Sequence, residues 1–254
     1  MPFGFYIIMA AQFFSALADN ALLIAAIYAL REMQAPTEYE PLLKTFFTLS
    51  YVLLAAFVGA FADSMPKWRV MFISNAIKIA GCSMMFFGAH PLVAYAVVGL
   101  GAAAYSPAKY GILTEYLPHR LLVVANGWIE GLTVGAIILG VVIGGTLIRP
   151  DISQTLLAFD FPLIDTGVDT IGEMALSIIG VFYIIASLFN LYVPDTGVDH
   201  KQLKSNPFYL IHEFNHCLSL LWRDKLGQIS LAVTTLFWGA GATLQFIVIK
   251  WAEQ

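Results

Sequence analysis

Charged side chains stand inside apolar stretches long enough to cross a bilayer, and they are the residues most able to do chemistry. Four of them, Asp19, Lys78, Lys109 and Glu130, lie in four different stretches, and Glu115 shares the stretch of Lys109. A charge at the bilayer centre costs roughly 2.5 to 3.5 kcal/mol on insertion scales, so it usually faces a protein interior or a water-filled cavity and has a partner. These charges predict a site that binds a charged or zwitterionic solute within the membrane.

Hydrogen-bonding side chains accompany the charges at helical spacing. Residues three, four and seven positions apart share one face of a helix. A rise of about 1.5 Å per residue places Asp19 and Lys78 near mid-membrane, and Lys109 and Glu130 in the cytoplasmic half. We therefore predict the ion pairs Asp19–Lys78 and Lys109–Glu130. The polar residues predicted to share this interior are Gln12, Asn20, Tyr105 and Asn126.

Two other interpretations of these charges remain open. The pairs could be buried only to fix the packing of the helices. Alternatively, the chain could be a proton- or sodium-coupled importer of a small polar solute, in which Asp19 or Glu130 titrates.

The composition indicates a polytopic membrane protein. Of 254 residues, 59% are hydrophobic and 12% are charged, whereas soluble domains contain about 25% charged residues. Cys82 and Cys217 are too few for a disulfide framework. We expect no nucleic-acid partner, no cofactor and no metal.

Apolar windows of about 20 residues suffice to span a bilayer, and the chain contains seven. They predict an all-α membrane protein with one six-helix half (1–193), a cytoplasmic linker (194–225) and the first helix of a second half (226–254), because many transporters consist of two such halves. We therefore expect a chain truncated after about seven spans. The windows are 3–28, 44–62, 70–88, 92–117, 123–148, 171–193 and 226–251.

Basic residues are concentrated in alternate loops, which predicts the orientation. Loops 63–69, 118–122 and 194–225 carry most of the lysines and arginines, whereas the other set holds only Arg31, Lys44 and Arg149. By the positive-inside rule the first set is cytoplasmic, and so is the N-terminus. The acidic loop at 149–170 then faces outward, and we predict no cleavable signal peptide.

Two further patterns concern packing. Residues 208–222 are amphipathic, which favours a helix lying in the membrane interface over an extension of the seventh span. Glycines of the fifth predicted span, at 131, 135, 140, 144 and 145, predict close helix packing; the alternative is a sliding surface for a conformational change.

Two motifs of soluble enzymes also occur. His212-Glu213-x-x-His216 matches a pattern in which two histidines bind zinc and the glutamate activates water, but no third ligand is evident. Gly99-x-Gly101-x-x-Ala104 imitates a dinucleotide fingerprint, although it lies inside a predicted span. An intramembrane zinc peptidase is thus a remote alternative.

The loop after the second predicted span resembles the signature loop of the major facilitator superfamily. It contains a G-x-x-x-D run that ends at Asp63, followed by Lys67 and Arg69, although Ser64 and Pro66 replace the usual basic residue and glycine. This resemblance implies a gating role for Asp63, Lys67 and Arg69, which would latch two halves together on the cytoplasmic side.

More specific motifs resemble the lysophospholipid transporters of Gram-negative inner membranes. They lie at 18–23, 102–111, 125–130 and 236–241, so the likeness extends along nearly the whole chain. The resemblance implies a multi-pass inner-membrane flippase that moves lysophospholipid, chiefly lysophosphatidylethanolamine, from the outer to the inner leaflet. It also implies an acyltransferase partner, coupled to or fused with an acyl-acyl-carrier-protein synthetase, which restores the second chain.

The physical chemistry of such a substrate fits the predicted interior. Carrying a tail of about sixteen carbons through water would cost on the order of 12 kcal/mol, so the tail must stay in an apolar environment while the head crosses a polar cavity. We expect Lys78 or Lys109 to attract the phosphate and Asp19 or Glu130 to attract the amine. Gln12 and Asn126 would supply hydrogen bonds.

Overall fold

The computed structural model describes residues 1–158, 168–199 and 206–252, and every regular element in these ranges is a helix. Backbone contacts divide the chain into two compact units, Met1–Leu203 and Lys204–Gln254. The helices of the first unit are α1 (Phe3–Glu32), α2 (Tyr39–Asp63), α3 (Lys67–Phe86), α4 (Pro91–Tyr116), α5 (His119–Leu147), α6 (Pro150–Leu157) and α7 (Ile171–Leu191). The second unit contains α8 (Pro207–Arg223) and α9 (Lys225–Ala252).

Local sequence explains where several helices begin. Pro91 occupies the first turn of α4, where its missing N–H costs no hydrogen bond, and the His90 side chain accepts a bond from the Leu92 N–H. At the start of α7, Thr170 and Glu173 form a reciprocal capping box. Each of the seven predicted apolar windows is a helix, which confirms those elements. The short helix α6 was not predicted.

Five helices of the described chain are long and apolar enough to cross a membrane, namely α1, α2, α4, α5 and α7. Predicted spans α3 and α9 are not among the five. In α3 the apolar run is diluted by Ser74, Asn75 and Lys78, all of which are buried. Polar residues can therefore occupy a membrane helix because neighbouring helices enclose them.

In the first unit, α1 lies at the centre of the bundle. It packs against α4, α5 and α7, while α3 packs against α4 and α7, and α2 packs mainly against α4. The largest apolar cluster joins Leu22 of α1, Tyr95 of α4 and Tyr183 of α7. Polar residues on the inner faces of α1 and α3 are thus brought together by the same packing.

Glycines allow the tightest of these contacts. A Cβ at Gly99 would lie 2.6 Å from the Phe47 carbonyl oxygen of α2, and one at Gly101 would lie 2.6 Å from the Ser74 carbonyl oxygen of α3. The apparent dinucleotide fingerprint is therefore a pair of helix contacts on α4.

The glycines of α5 fall into two groups. Gly140 and Gly144 meet the backbone of α1: a Cβ at Gly140 would lie 2.6 Å from the Leu17 carbonyl oxygen, and one at Gly144 would lie 2.8 Å from the Ala21 carbonyl oxygen. Nothing lies within 4 Å of a Cβ at residues 131, 135 or 145. The prediction of close packing holds for the first group only.

The second unit joins α8 to α9 at Asp224. This residue has extended backbone (φ −81°, ψ 128°), and its carboxylate accepts a bond from the Gly227 N–H at 2.8 Å. The two helices are therefore separate, and the alternative in which 208–222 extends the seventh span is wrong. No side chain of α8 is buried within its unit.

Several sequence predictions fall outside the described residues. They concern the middle of the acidic loop, including Asp160 and Asp165, and the linker lysines Lys201 and Lys204.

Candidate substrate-binding site

The predicted ion pair between α1 and α3 is present. Lys78 Nζ lies 2.7 Å from Asp19 Oδ2, and the exposed fractions of the two side chains are 3% and 15%. Lys78 Nζ also donates to Ser15 Oγ at 2.9 Å, and Ser15 donates to Asn75 Oδ1 at 2.8 Å. The prediction of Asp19–Lys78 is thus confirmed.

Two tyrosines that sequence reasoning missed complete this pair. The Tyr183 hydroxyl donates to Asp19 Oδ1 at 2.8 Å, and the Tyr95 hydroxyl donates to the Asp19 carbonyl oxygen at 3.2 Å. Lys78 Nζ also lies 5.2 Å from the centroid of the Tyr105 ring. Both Asp19 carboxylate oxygens have donors, so this group, which we call the α1–α3 pair, is internally satisfied.

A small polar cavity of about 60 Å³ borders the α1–α3 pair. Ligand pockets usually enclose about 300 to 1,000 Å³, so the cavity alone has room for a few waters but not for a lipid head group. It lies between α1, α2, α3 and α4. Its lining includes Gln12, Asp19, Tyr51, Lys78, Tyr105 and Lys109.

The second predicted ion pair is wrong. Within the described residues Lys109 forms no ion pair, and its ammonium lies 4.4 Å from the centroid of the Tyr110 ring. Glu130 Oε1 instead accepts a 2.6 Å bond from the Tyr110 hydroxyl. The Tyr110 side chain satisfies Glu130 from the α4 side, while Lys109, which is buried, lines the cavity.

Lys109, Tyr110 and Glu130 form what we call the α4–α5 group. Tyr110 is 41% exposed, so the group borders open space, unlike the α1–α3 pair. A cation and an anion are held near each other with one tyrosine contacting both. The arrangement leaves Lys109 without a counter-ion and Glu130 Oε2 without a donor in the described chain.

The remaining predicted polar residues have separate surroundings. Gln12 donates to Thr133 Oγ1 at 3.2 Å, which joins α1 to α5. Asn20 donates to the Ala16 carbonyl oxygen of its own helix, and Asn126 is exposed on α5. The Tyr105 hydroxyl is buried and has no hydrogen-bond partner among the described residues. Only Gln12 and Tyr105 of these four line the cavity.

A third charged cluster closes one end of the first unit. Lys67 Nζ lies 2.8 Å from Asp63 Oδ1 and 3.4 Å from Glu115 Oε1, and it donates to the Ala62 carbonyl oxygen. Thr196, beyond α7, donates to Glu115 Oε2 at 2.8 Å.

The third residue expected in this latch lies apart from it. The Arg69 guanidinium lies 5.1 Å from the centroid of the Trp68 ring and forms no ion pair within the described residues. Glu115 takes the place that Arg69 was expected to share, because the end of α4 meets the loop between α2 and α3.

Comparison with known proteins places this bundle in a family. The profile of the Major Facilitator Superfamily matches residues 8–253. The chain belongs to the Major Facilitator Superfamily. It is therefore a multi-pass membrane protein of a transporter superfamily, and the six long helices of the first unit together with α9 are superfamily helices.

Members of the superfamily similar to this chain include three named "Lysophospholipid transporter LplT". The protein of Yersinia enterocolitica is 41% identical over 248 residues, which covers 98% of this chain and 56% of the relative. Those of Serratia proteamaculans and Yersinia pestis are 39% and 40% identical over 244 residues, and 96% of this chain is covered in both. The chain spans about half the length of these relatives.

The structure does not support a zinc site at the H-E-x-x-H motif. His212, Glu213 and His216 are exposed on α8. The described residues contain no group of three histidines, cysteines or carboxylates that could hold a metal ion. A zinc site normally needs three or four protein ligands.

Proposed function

We propose that this chain is part of a lysophospholipid transporter and that the α4–α5 group binds the zwitterionic head. The observation that carries the proposal is that Lys109 and Glu130 both contact Tyr110 and do not pair with each other. A cation without a counter-ion is costly within a membrane. A phosphate bound to Lys109 removes that cost.

The head of lysophosphatidylethanolamine has matching charges. Its phosphate is an acceptor for the Lys109 ammonium, and its amine is a donor for the Glu130 carboxylate. Hydrogen bonds between charged groups stabilise by about 1.5 to 3 kcal/mol each. The Tyr110 hydroxyl orients Glu130, and Asn126, one turn earlier on α5, is available for a further hydrogen bond to the head.

The α1–α3 pair has a different role in this proposal. Asp19 and Lys78 already satisfy each other, together with Ser15 and Tyr183. A ligand would have to break these bonds to bind there. We assign the pair to holding α1, α3 and α7 in register. Gln12 and Tyr105 form part of the polar wall of the adjoining cavity, and Asn20 is bonded to its own helix.

We also infer the substrate, the orientation of the chain and the direction of transport. The names of the relatives support lysophospholipid as the substrate. The N-terminus is cytoplasmic, the membrane is the inner membrane, and lysolipid moves to the inner leaflet for reacylation by an acyltransferase coupled to an acyl-acyl-carrier-protein synthetase. The cluster of Asp63, Lys67 and Glu115 gates the cytoplasmic end, and the chain is a transporter without catalytic activity of its own.

Binding of head-group analogues to the purified chain in nanodiscs tests this proposal. Lys109→Met is expected to weaken binding of lysophosphatidylethanolamine about tenfold or more, since a charged hydrogen bond is lost, and to leave binding of a monoacylglycerol with the same tail unchanged. Lys109→Arg should retain most of the affinity. Glu130→Gln should weaken binding of lysophosphatidylethanolamine but not binding of lysophosphatidic acid, which lacks the amine.

Arg120→Met is the matched control because it removes one exposed positive charge from the start of α5. Equal affinities for lysophosphatidylethanolamine and monoacylglycerol in the unsubstituted chain would contradict the proposal. Tight binding of a small polar solute that displaces no lysolipid would favour the ion-coupled importer instead.

A further inference from the structure

Lys44 is a second lysine of the bundle without an ion pair among the described residues. It lies near the start of α2, and its ammonium is 5.7 Å from the centroid of the Phe47 ring. Within the described residues it forms no ion pair. Asp19 acts on it at longer range, but both Asp19 carboxylate oxygens are already occupied by Lys78 and Tyr183.

Lys44 of α2, Lys78 of α3 and Lys109 of α4 therefore differ in their partners. Lys78 has a carboxylate at 2.7 Å, whereas Lys44 and Lys109 form no ion pair among the described residues and lie 5.7 and 4.4 Å from the centroids of aromatic rings. The face of an aromatic ring stabilises a cation less than a buried carboxylate does. Lys44 thus shares with Lys109 the property that makes a lysine available to an anion.

An aromatic stripe connects Lys44 to the cavity. Lys44, Phe47 and Tyr51 are spaced i, i+3 and i+7, so they share one face of α2. The Phe47 ring contacts the rings of Tyr51 and Tyr95 at centroid distances of 5.9 and 5.0 Å. Tyr51 is 37% exposed and lines the cavity with Lys109. Lys44 stands about 10 Å along the helix from Tyr51, at 1.5 Å per residue.

We propose that Lys44 is an outer-leaflet capture site for the phosphate of the lysolipid, from which the head passes along Phe47 and Tyr51 to Lys109. This inference rests on the proposed function and on its orientation, in which the start of α2 faces outward. The aromatic faces accommodate the cationic amine of the head, and the two lysines bind its phosphate at the two ends of the stripe.

Lysine acylation by a membrane-impermeant reagent, read by mass spectrometry, tests the inference. The chain is reconstituted in vesicles in which its orientation is determined independently, and the reagent is added on the side of the α1–α2 connection. Lys44 is expected to be acylated, and lysophosphatidylethanolamine should slow the reaction about tenfold. Monoacylglycerol and inorganic phosphate at the same concentration should not, which distinguishes the lipid head from a free phosphate.

Equilibrium binding of lysophosphatidylethanolamine provides the second readout. Lys44→Met should weaken binding severalfold and Lys44→Arg should restore it, while Arg149→Met, which removes a cation already bonded to Asp151, should have no effect. Acylation that lysolipid does not slow, with Lys109-dependent binding intact, would overturn the capture site and leave the proposed function standing. If, in addition, Lys109→Met does not weaken binding of lysophosphatidylethanolamine relative to monoacylglycerol, the proposed function itself has failed. Acylation only from the opposite side would overturn the capture site through its orientation.

Discussion

The α1–α3 pair and the α4–α5 group place the same kinds of charge in one bundle but satisfy them differently. Lys78 has a carboxylate at 2.7 Å and a hydroxyl at 2.9 Å. Lys109 has the face of a tyrosine ring, and Glu130 has the hydroxyl of that same tyrosine. The first arrangement is complete within the described chain, whereas in our proposal a zwitterion supplies the partners that the second lacks.

This difference separates two uses of intramembrane charge. A buried pair that is fully hydrogen-bonded contributes little net stability over an apolar pair, yet it is costly to break. It therefore suits a joint between helices. A cation that has only a weak internal partner gains more from an external anion, so it suits a binding site that must also release its ligand.

Breaking the α1–α3 pair should produce the largest effect. Lys78→Met leaves the Asp19 carboxylate without its cation, and removal of one partner of a buried pair costs about 3 to 5 kcal/mol. The double variant Asp19→Asn with Lys78→Met should recover at least half of that loss. Unfolding in mixed micelles with increasing dodecyl sulfate, followed by circular dichroism, measures the free energy.

Lys109→Met is the matched control because it makes the same substitution in the α4–α5 group. It should leave the free energy of unfolding unchanged or raise it, since no ion pair is broken and a cation without a counter-ion is removed. If Lys78→Met is as stable as the unsubstituted chain but fails to bind lysolipid, the roles that we assign to the two groups are reversed.

A backbone contact gives a second way to disturb the α1–α3 pair. A Cβ at Gly101 would lie 2.6 Å from the Ser74 carbonyl oxygen and 2.7 Å from Lys78 Cγ. Gly101→Ala must therefore move α3 or Lys78, and overpacking of this kind costs about 1 to 3 kcal/mol. The same micelle unfolding measures the loss.

Gly135→Ala is the control for this substitution, since nothing lies within 4 Å of a Cβ there. It should be neutral or stabilise the helix by up to about 1 kcal/mol, because alanine has less conformational entropy to lose than glycine. Equal losses in the two variants would show that helix propensity, not contact with Lys78, determines the result.

The sequence predicted helices well because long apolar runs leave the backbone no other way to satisfy its hydrogen bonds in a bilayer. It also identified the charged residues of both groups. It predicted the partners of only one of the two groups, because depth along a helix says nothing about which way a side chain points. Asp19 and Lys78 were matched correctly by depth alone, whereas Lys109 and Glu130 were mismatched because Tyr110 contacts both.

Tyrosines were the principal omission at the candidate site. Tyr95, Tyr110 and Tyr183 each hold a charged residue or its backbone in place, but in an apolar helix a tyrosine is hard to distinguish from a core aromatic. A usable signal was present at position 110, since Tyr110 directly follows Lys109.

The tyrosine of the α4–α5 group gives a prediction of intermediate size that concerns binding. Tyr110→Phe keeps the ring beside Lys109 but removes the donor to Glu130. The free carboxylate can then swing toward Lys109 and compete with the phosphate, so we expect affinity for lysophosphatidylethanolamine to fall about three- to tenfold. This corresponds to about 0.7 to 1.4 kcal/mol, measured by equilibrium binding in nanodiscs.

Tyr183→Phe is the matched control, because it removes the corresponding hydroxyl from the α1–α3 pair. It should lower the free energy of unfolding by about 1 to 3 kcal/mol, the cost of an unsatisfied buried acceptor, and leave lysolipid affinity unchanged. If Tyr110→Phe affects stability and Tyr183→Phe affects binding, the comparison between the two groups fails.

The smallest effect is expected where a charged cluster is partly open to solvent. Asp63 lies 2.8 Å from Lys67, but its side chain is 50% exposed, and exposed ion pairs contribute about 0 to 1 kcal/mol. Asp63→Asn also leaves Lys67 bonded to Glu115 and to the Ala62 carbonyl oxygen. The free energy of unfolding should therefore change by less than about 1 kcal/mol. A loss as large as that of Lys78→Met would mean that proximity of charges, rather than burial and complete hydrogen bonding, is what makes an intramembrane pair structural.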